Sequence, residues 1–217
     1  MIFEGEVRRI TRYFSGTNPV RIRITDVGSQ AVDLVKPRYA ELARARKIYN
    51  GTSATGTAQA PVTAIPTTTA TWALYNGNKE GSNICLLPLS AYCWSVSGTL
   101  GLGMSLLGTV ALAEVISTKP TTYASSITTS FSGGANATRA VFASAVTMVG
   151  TPSWALLGSR DQVSAISVGS GIVAPMEGAM LIPPNYVGGF TVLAPVGTTA
   201  LFGFGVTYAE LELDLEG

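Results

Sequence analysis

The chain contains no histidine. That absence removes the commonest general base and metal ligand, and with them every Ser-His or Cys-His catalytic arrangement. Cysteine is nearly absent too. Cys85 and Cys93 stand alone in an apolar stretch; two sulfurs without imidazole partners cannot complete a four-ligand zinc site, and no C-x-x-C redox motif occurs. They read as buried thiols, with a disulfide as the alternative. No catalytic residue, cofactor-binding residue or metal ligand is expected, no cofactor is implied, and the chain is read as not an enzyme.

Charge is also scarce. Only 12% of residues are charged, against 47% hydrophobic, about half the usual charge content. What charge there is sits at one end. Residues 1–48 hold Arg8, Arg9, Arg12, Arg21, Arg23, Lys36, Arg38, Arg44, Arg46 and Lys47 against five acids, a net +5, while the remaining residues hold four bases against eight acids, a net −4. The whole-chain value of +1 hides this split. A basic module beside a neutral one suggests that one end binds an acidic or polyanionic surface. The rest must cover itself with Ser, Thr, Asn, Gly and Ala, a poor exterior for a free monomer, so a homo-oligomer is expected.

Long apolar runs are few, and one needs comment: Gly81 to Ala113 is free of charge and long enough to cross a bilayer. Pro88, the glycines at 98, 101, 103 and 108 and the interspersed hydroxyls argue for buried β-structure, and no membrane contact is expected. The N-terminus carries Glu4 and Glu6 where a signal peptide would need basic residues and then an apolar run. Synthesis and folding in the cytoplasm are therefore expected.

Val20 to Thr25 alternates apolar with basic residues, which puts Arg21 and Arg23 on one face of a strand. Arg38 to Lys47 follows Pro37 and uses good helix formers, predicting a short basic helix. Asn50 to Thr71 has no charge and is rich in Gly, Ser, Thr, Ala and Pro, the composition of a connector. From Ala70 the chain alternates short apolar or Thr-rich runs with Gly, Pro, Asn and Ser, the pattern of an all-β sandwich or barrel. Strands are predicted at 70–75, 84–89, 92–96, 110–116, 126–131, 139–149, 153–157, 163–168, 179–182, 189–194 and 201–213. The domain reading is a basic anchoring segment over 1–48, a connector over 49–69 and a β-sandwich body over 70–217.

Other motifs carry no chemistry. Gly101-x-Gly103 lacks the third glycine and the strand-turn-helix context of a dinucleotide loop. No nucleophile elbow or P-loop lysine motif occurs. The carboxylates at 210, 212, 214 and 216 read as the solvated face of a strand rather than as an acid and base pair. The basic segment admits a plain solvated surface, docking on an acidic protein surface, or nucleic-acid binding. Its five interleaved acids weigh against the last, which favours uncompensated basic stretches.

On these residues the layout resembles small structural proteins of tailed-bacteriophage virions, of the capsid-decorating and head-fibre type. The resemblance is carried by the Arg38-Tyr39-x-Glu41-x-Ala43-Arg44 helix, the polar connector, Trp72-Ala73-Leu74-Tyr75-Asn76-Gly77, Ile182-Pro183-Pro184-Asn185 and the final strand through Tyr208-Ala209-Glu210-Leu211. It implies a jelly-roll β-sandwich assembled as a trimer, with the N-terminal segment attached to the major capsid protein or other virion proteins. The missing repeats argue against a long fibre. The leading expectation is a capsid decoration or stabilisation protein of the virion, docking through Arg8, Arg9, Arg12, Arg21, Arg23, Arg38, Arg44, Arg46 and Lys47. The alternatives are a tail or receptor-binding protein that binds a host glycan through clustered aromatic and amide side chains, and a coat protein contacting packaged nucleic acid.

Overall fold

A computed structural model of the chain describes residues 23–24, 30–31, 39, 42–43, 45–53, 58–99, 103–112, 127–129, 138–161, 170–194 and 199–213. The chain divides into two compact units, residues 1–40 and 41–217. In the first, β1 (Arg23–Ile24) pairs antiparallel with β2 (Gln30–Ala31), so the alternating basic stretch does place Arg23 in a strand.

The second unit is all-β. Its strands are β3 (Ile48–Thr52), β4 (Thr69–Asn76), β5 (Ile84–Ser97), β6 (Met104–Leu112), β7 (Ile127–Thr129), β8 (Ala140–Thr147), β9 (Ala155–Arg160), β10 (Gly171–Pro175), β11 (Tyr186–Leu193) and β12 (Leu201–Glu212). They form two five-stranded antiparallel sheets, ordered β10-β5-β12-β3-β7 and β8-β4-β11-β6-β9. The sheets pack as a sandwich over one core. Period-two alternation on β12 sends Phe202, Phe204, Val206 and Tyr208 inward, all fully buried. From the second sheet Trp72 and Phe190 meet Phe204 with ring centroids 5.1 and 4.9 Å away, and Phe142 lies parallel to it at 6.0 Å. Such contacts bury large apolar areas and tie the two layers together.

The charge-free run from 81 to 113 holds β5 and β6. Among the described residues no helix is long and apolar enough to cross a membrane. The strands predicted over 84–89 and 92–96 are one continuous strand, with a register shift against Thr207 and Tyr208 that leaves Leu89 without a partner on β12. Pro88 sits beside that bulge, where a missing N–H does least harm. Three strands were not anticipated: β2, β3 and β10. Residues 49–69, read as a connector, begin inside β3, and their last residue opens β4. Between these ends Gln59 bridges to Phe202 and Val62 to Leu193, so the segment runs from one sheet to the other. Of the run predicted over 179–182 only Ile182 pairs, with Leu86; the run over 163–168 lies outside the described residues.

Of the helix predicted over 38–47, Leu42 and Ala43 have helical backbone. Arg46 N–H donates to Ala43 C=O at 3.0 Å and Lys47 N–H to Leu42 C=O at 2.9 Å, with Arg46 at φ 56°. This is the paired bonding of a Schellman motif, with arginine in the left-handed position that glycine usually takes.

Two motifs far apart in sequence meet at one end of the sandwich. The fully buried Asn76 donates through Nδ2 to the carbonyls of Ile84 and Ile182, both at 2.9 Å, and accepts at Oδ1 from the backbone and side-chain N–H groups of Asn78. Asn185, at φ 67°, returns an N–H bond to Asn76 C=O at 3.1 Å. All four hydrogen-bonding positions of a buried amide are thereby filled.

Candidate functional site

The two sheets differ on their outer faces. Over the second sheet, the connection from β8 to β9 folds back: Met148 and Trp154 pack on Ala73, Tyr75, Val141 and Val187, and Thr109 donates its hydroxyl to Ser153 C=O at 2.6 Å. The first sheet instead presents an aromatic surface. Beyond the bulge, β5 alternates so that Ala91 and Cys93 face the core while Tyr92 and Trp94 face outward, half-buried.

These two rings lie flat because the neighbouring strand has no side chains beneath them. A Cβ at Gly203 would fall 2.4 Å from the Trp94 ring, and one at Gly205 would fall 2.4 Å from the Tyr92 ring. Each aromatic therefore occupies the space above a glycine of β12. Tyr92 crosses that strand completely, its hydroxyl donating to Asn50 Oδ1 on β3 at 2.8 Å. The rings are 5.9 Å apart and inclined by only 23°. That separation is close to the i to i+2 rise of a strand, so they sit side by side as adjoining tiles.

The platform is edged by polar and apolar side chains, with one cation at its Gly171 end, where the Arg160 guanidinium donates to Gly171 C=O at 3.2 Å. Thr207 donates its hydroxyl to the same Asn50 Oδ1 at 3.2 Å, which leaves the Asn50 Nδ2 group to donate elsewhere. On the other side Val173 of β10, paired with Tyr92, is 74% exposed, and Gly171 is paired with Trp94. β3, β5 and β10 contain no charged residue, and β12 has none before Glu210.

A titratable cluster lies elsewhere, near the end of β12. Glu210 accepts a hydrogen bond from the Thr138 hydroxyl, and the Tyr208 hydroxyl donates to Thr138 Oγ1 at 3.3 Å. Burial pushes the Glu210 carboxyl above its usual range, partly offset by the Thr138 bond, the Lys47 charge and the Arg139 backbone. Tyr208, stacked on Tyr49 at 5.5 Å, is raised by burial as well. This arrangement ties residue 138 to the sheet.

The cysteines are free and buried. Both lie on β5, where eight residues of strand separate them by roughly 25 Å, far beyond disulfide reach. Burial raises the Cys93 thiol to about 11 and raises Cys85 also, so neither is a ready nucleophile at neutral pH. Among the described residues no three His, Cys, Asp or Glu side chains gather to hold a metal ion.

Of the predicted docking residues, Arg23 opens β1, and Arg46 and Lys47 are exposed side by side just before β3. Arg8, Arg9, Arg12, Arg21, Arg38 and Arg44 lie outside the described residues. The Tyr92 and Trp94 surface was not among the predicted sites. Its signal was present in the sequence as two alternations, Tyr92-x-Trp94 and Gly203-x-Gly205, but only strand pairing shows that one lies over the other. No family model matches the chain, and no curated protein matches it in sequence.

Proposed function

We propose that the protein is a structural component of a virion, with a jelly-roll body that associates in threes and an N-terminal basic segment that docks on the phage head. The strand order carries this reading. β3 pairs with β12, β4 with β11, β5 with β10 and β6 with β9. Those four pairings are the ones produced when a single long antiparallel hairpin is rolled into two facing sheets, as in double Greek-key jelly rolls of capsid proteins. β7 and β8 fit as an insertion, since they extend the two sheets beside β3 and β4. The charge split supplies the second half of the argument, because a neutral body needs another element to find an acidic partner surface.

The test is incorporation into particles. Because β3 begins at Ile48 and Glu210 N–H bonds to Lys47 C=O at 2.9 Å, a cut at residue 48 would damage the body. Deleting residues 1–40, or reversing Arg44 and Arg46 together with Arg21 and Arg23, spares it and keeps the Lys47 charge beside Glu210. Exposed ion pairs contribute about 0.2–1 kcal/mol each, so several must be changed at once. The expected result is loss of the protein from particles with circular dichroism and oligomeric state unchanged. A truncated body that decorates particles at wild-type occupancy would mean that attachment runs through the sandwich.

A further inference from the structure

We infer that the outer face of the first sheet, centred on Tyr92 and Trp94, is a binding platform for a neutral glycan. The inference is independent of where the N-terminal segment docks. It rests first on shape: two rings laid over Gly203 and Gly205, with centroids 5.9 Å apart and planes inclined by 23°, offer neighbouring aromatic faces on one side of the sheet. The face of an aromatic ring is electron-rich, and the C–H groups on one side of a hexose ring carry the complementary partial charge. The platform is also rigid, since Tyr92 is pinned at its hydroxyl by Asn50 and both rings lie against backbone. A rigid platform loses little conformational entropy when a ligand stacks on it.

The rim supplies the polar half of the recognition. Asn50 holds its amide with Oδ1 saturated by two hydroxyl donors, so Nδ2 is the group left for a ligand oxygen. Charge selects the sugar class. The four platform strands carry no cation before Glu210, and Arg160, at the Gly171 end, spends an N–H on that carbonyl; one guanidinium at one end offers little to hold a sulfate, a uronate or a phosphodiester across the rings, and it does not make the basic groove that a nucleic-acid strand, whose bases could also stack, requires. A second copy of this chain is the competing occupant, given the exposed Val173 beside the rings. The flat tiles and outward amide favour the sugar.

Full-length protein is titrated with neutral gluco-, galacto- and manno-oligosaccharides and with sulfated and uronate-containing counterparts, following tryptophan fluorescence and calorimetry. Saturable binding of at least one neutral oligosaccharide is expected, with the anionic set inert. W94A and Y92A should each weaken binding by about tenfold or more. W94F keeps a ring face and should recover most of the loss, while Y92F, lacking the bond to Asn50, should bind a fewfold more weakly. Sedimentation of W94A distinguishes the competing occupant, and an unchanged oligomer is expected. The inference is overturned by any of three results: no neutral oligosaccharide binds at millimolar concentration, binding survives W94A intact, or W94A dissociates the oligomer. None of these depends on particle incorporation, so this test and that of the virion reading fail separately.

Discussion

At Glu210 the chain places a carboxyl among buried aromatic side chains, where water cannot fully solvate its charge. Its ordinary value of 4.5 is therefore raised in the folded protein, by burial first, against the opposing Thr138 bond and Lys47 charge. The unfolded chain keeps the ordinary value. The folded state thus binds the proton more tightly, and the stability this contributes is fully present below 4.5 and lost as pH rises through the higher folded value. Replacing the carboxyl by an amide removes the ionisation while leaving an oxygen for Thr138. The stability of Glu210→Gln minus that of the parent should increase with pH across this window and then level off, as read from urea midpoints between pH 4 and 8. A difference that is flat or falls with pH would place the carboxylate in a well-solvated or well-paired setting instead.

Among the elements, β12 holds the sandwich together, lying between β5 and β3 and facing β4, β8 and β11 through its phenylalanines. Phe204 meets three aromatic rings at once, so Phe204→Ala should cost about 3–5 kcal/mol, whereas Val173→Ala on the exposed face should change stability by about 0.5 kcal/mol or less. Denaturant unfolding of the two variants measures both. The prominence of β12 was readable from its sequence, because Phe202, Phe204, Val206 and Tyr208 alternate with the smaller Gly203, Gly205, Thr207 and Ala209. β4, β8 and β11 were legible for the same reason, to within a few residues at their ends. β3 was not, since Ile48-Tyr49-Asn50-Gly51-Thr52 is short, turn-like in composition and runs into a Pro- and Thr-rich stretch; its place is set by pairing with β12. β10 was hidden likewise, bounded by Gly171 and Pro175 at a sheet edge. The aromatic platform failed to show because it depends on two strands more than a hundred residues apart, a relation that local periodicity does not contain.

The whole molecule brings two kinds of surface to two kinds of partner. The strands of the body carry few charges, and Leu156 and Val173 are 63% and 74% exposed on different sheets, so self-association would draw mainly on apolar and hydroxyl contacts. The N-terminal residues are the reverse, with ten bases among the first 48 residues. Salt separates the two kinds of contact. Raising ionic strength from 0.1 to 1 M shortens the screening length from about 10 to 3 Å, which weakens exposed charge contacts but leaves apolar burial intact or slightly favoured. The purified protein should therefore sediment as an oligomer at micromolar concentration with the same coefficient at both salt concentrations. Its attachment to an acidic partner surface should fall steeply over the same range. A monomer at micromolar concentration would remove the case for a body covered by its neighbours, and an oligomer that dissociates with salt would move the self-association contacts to the basic segment.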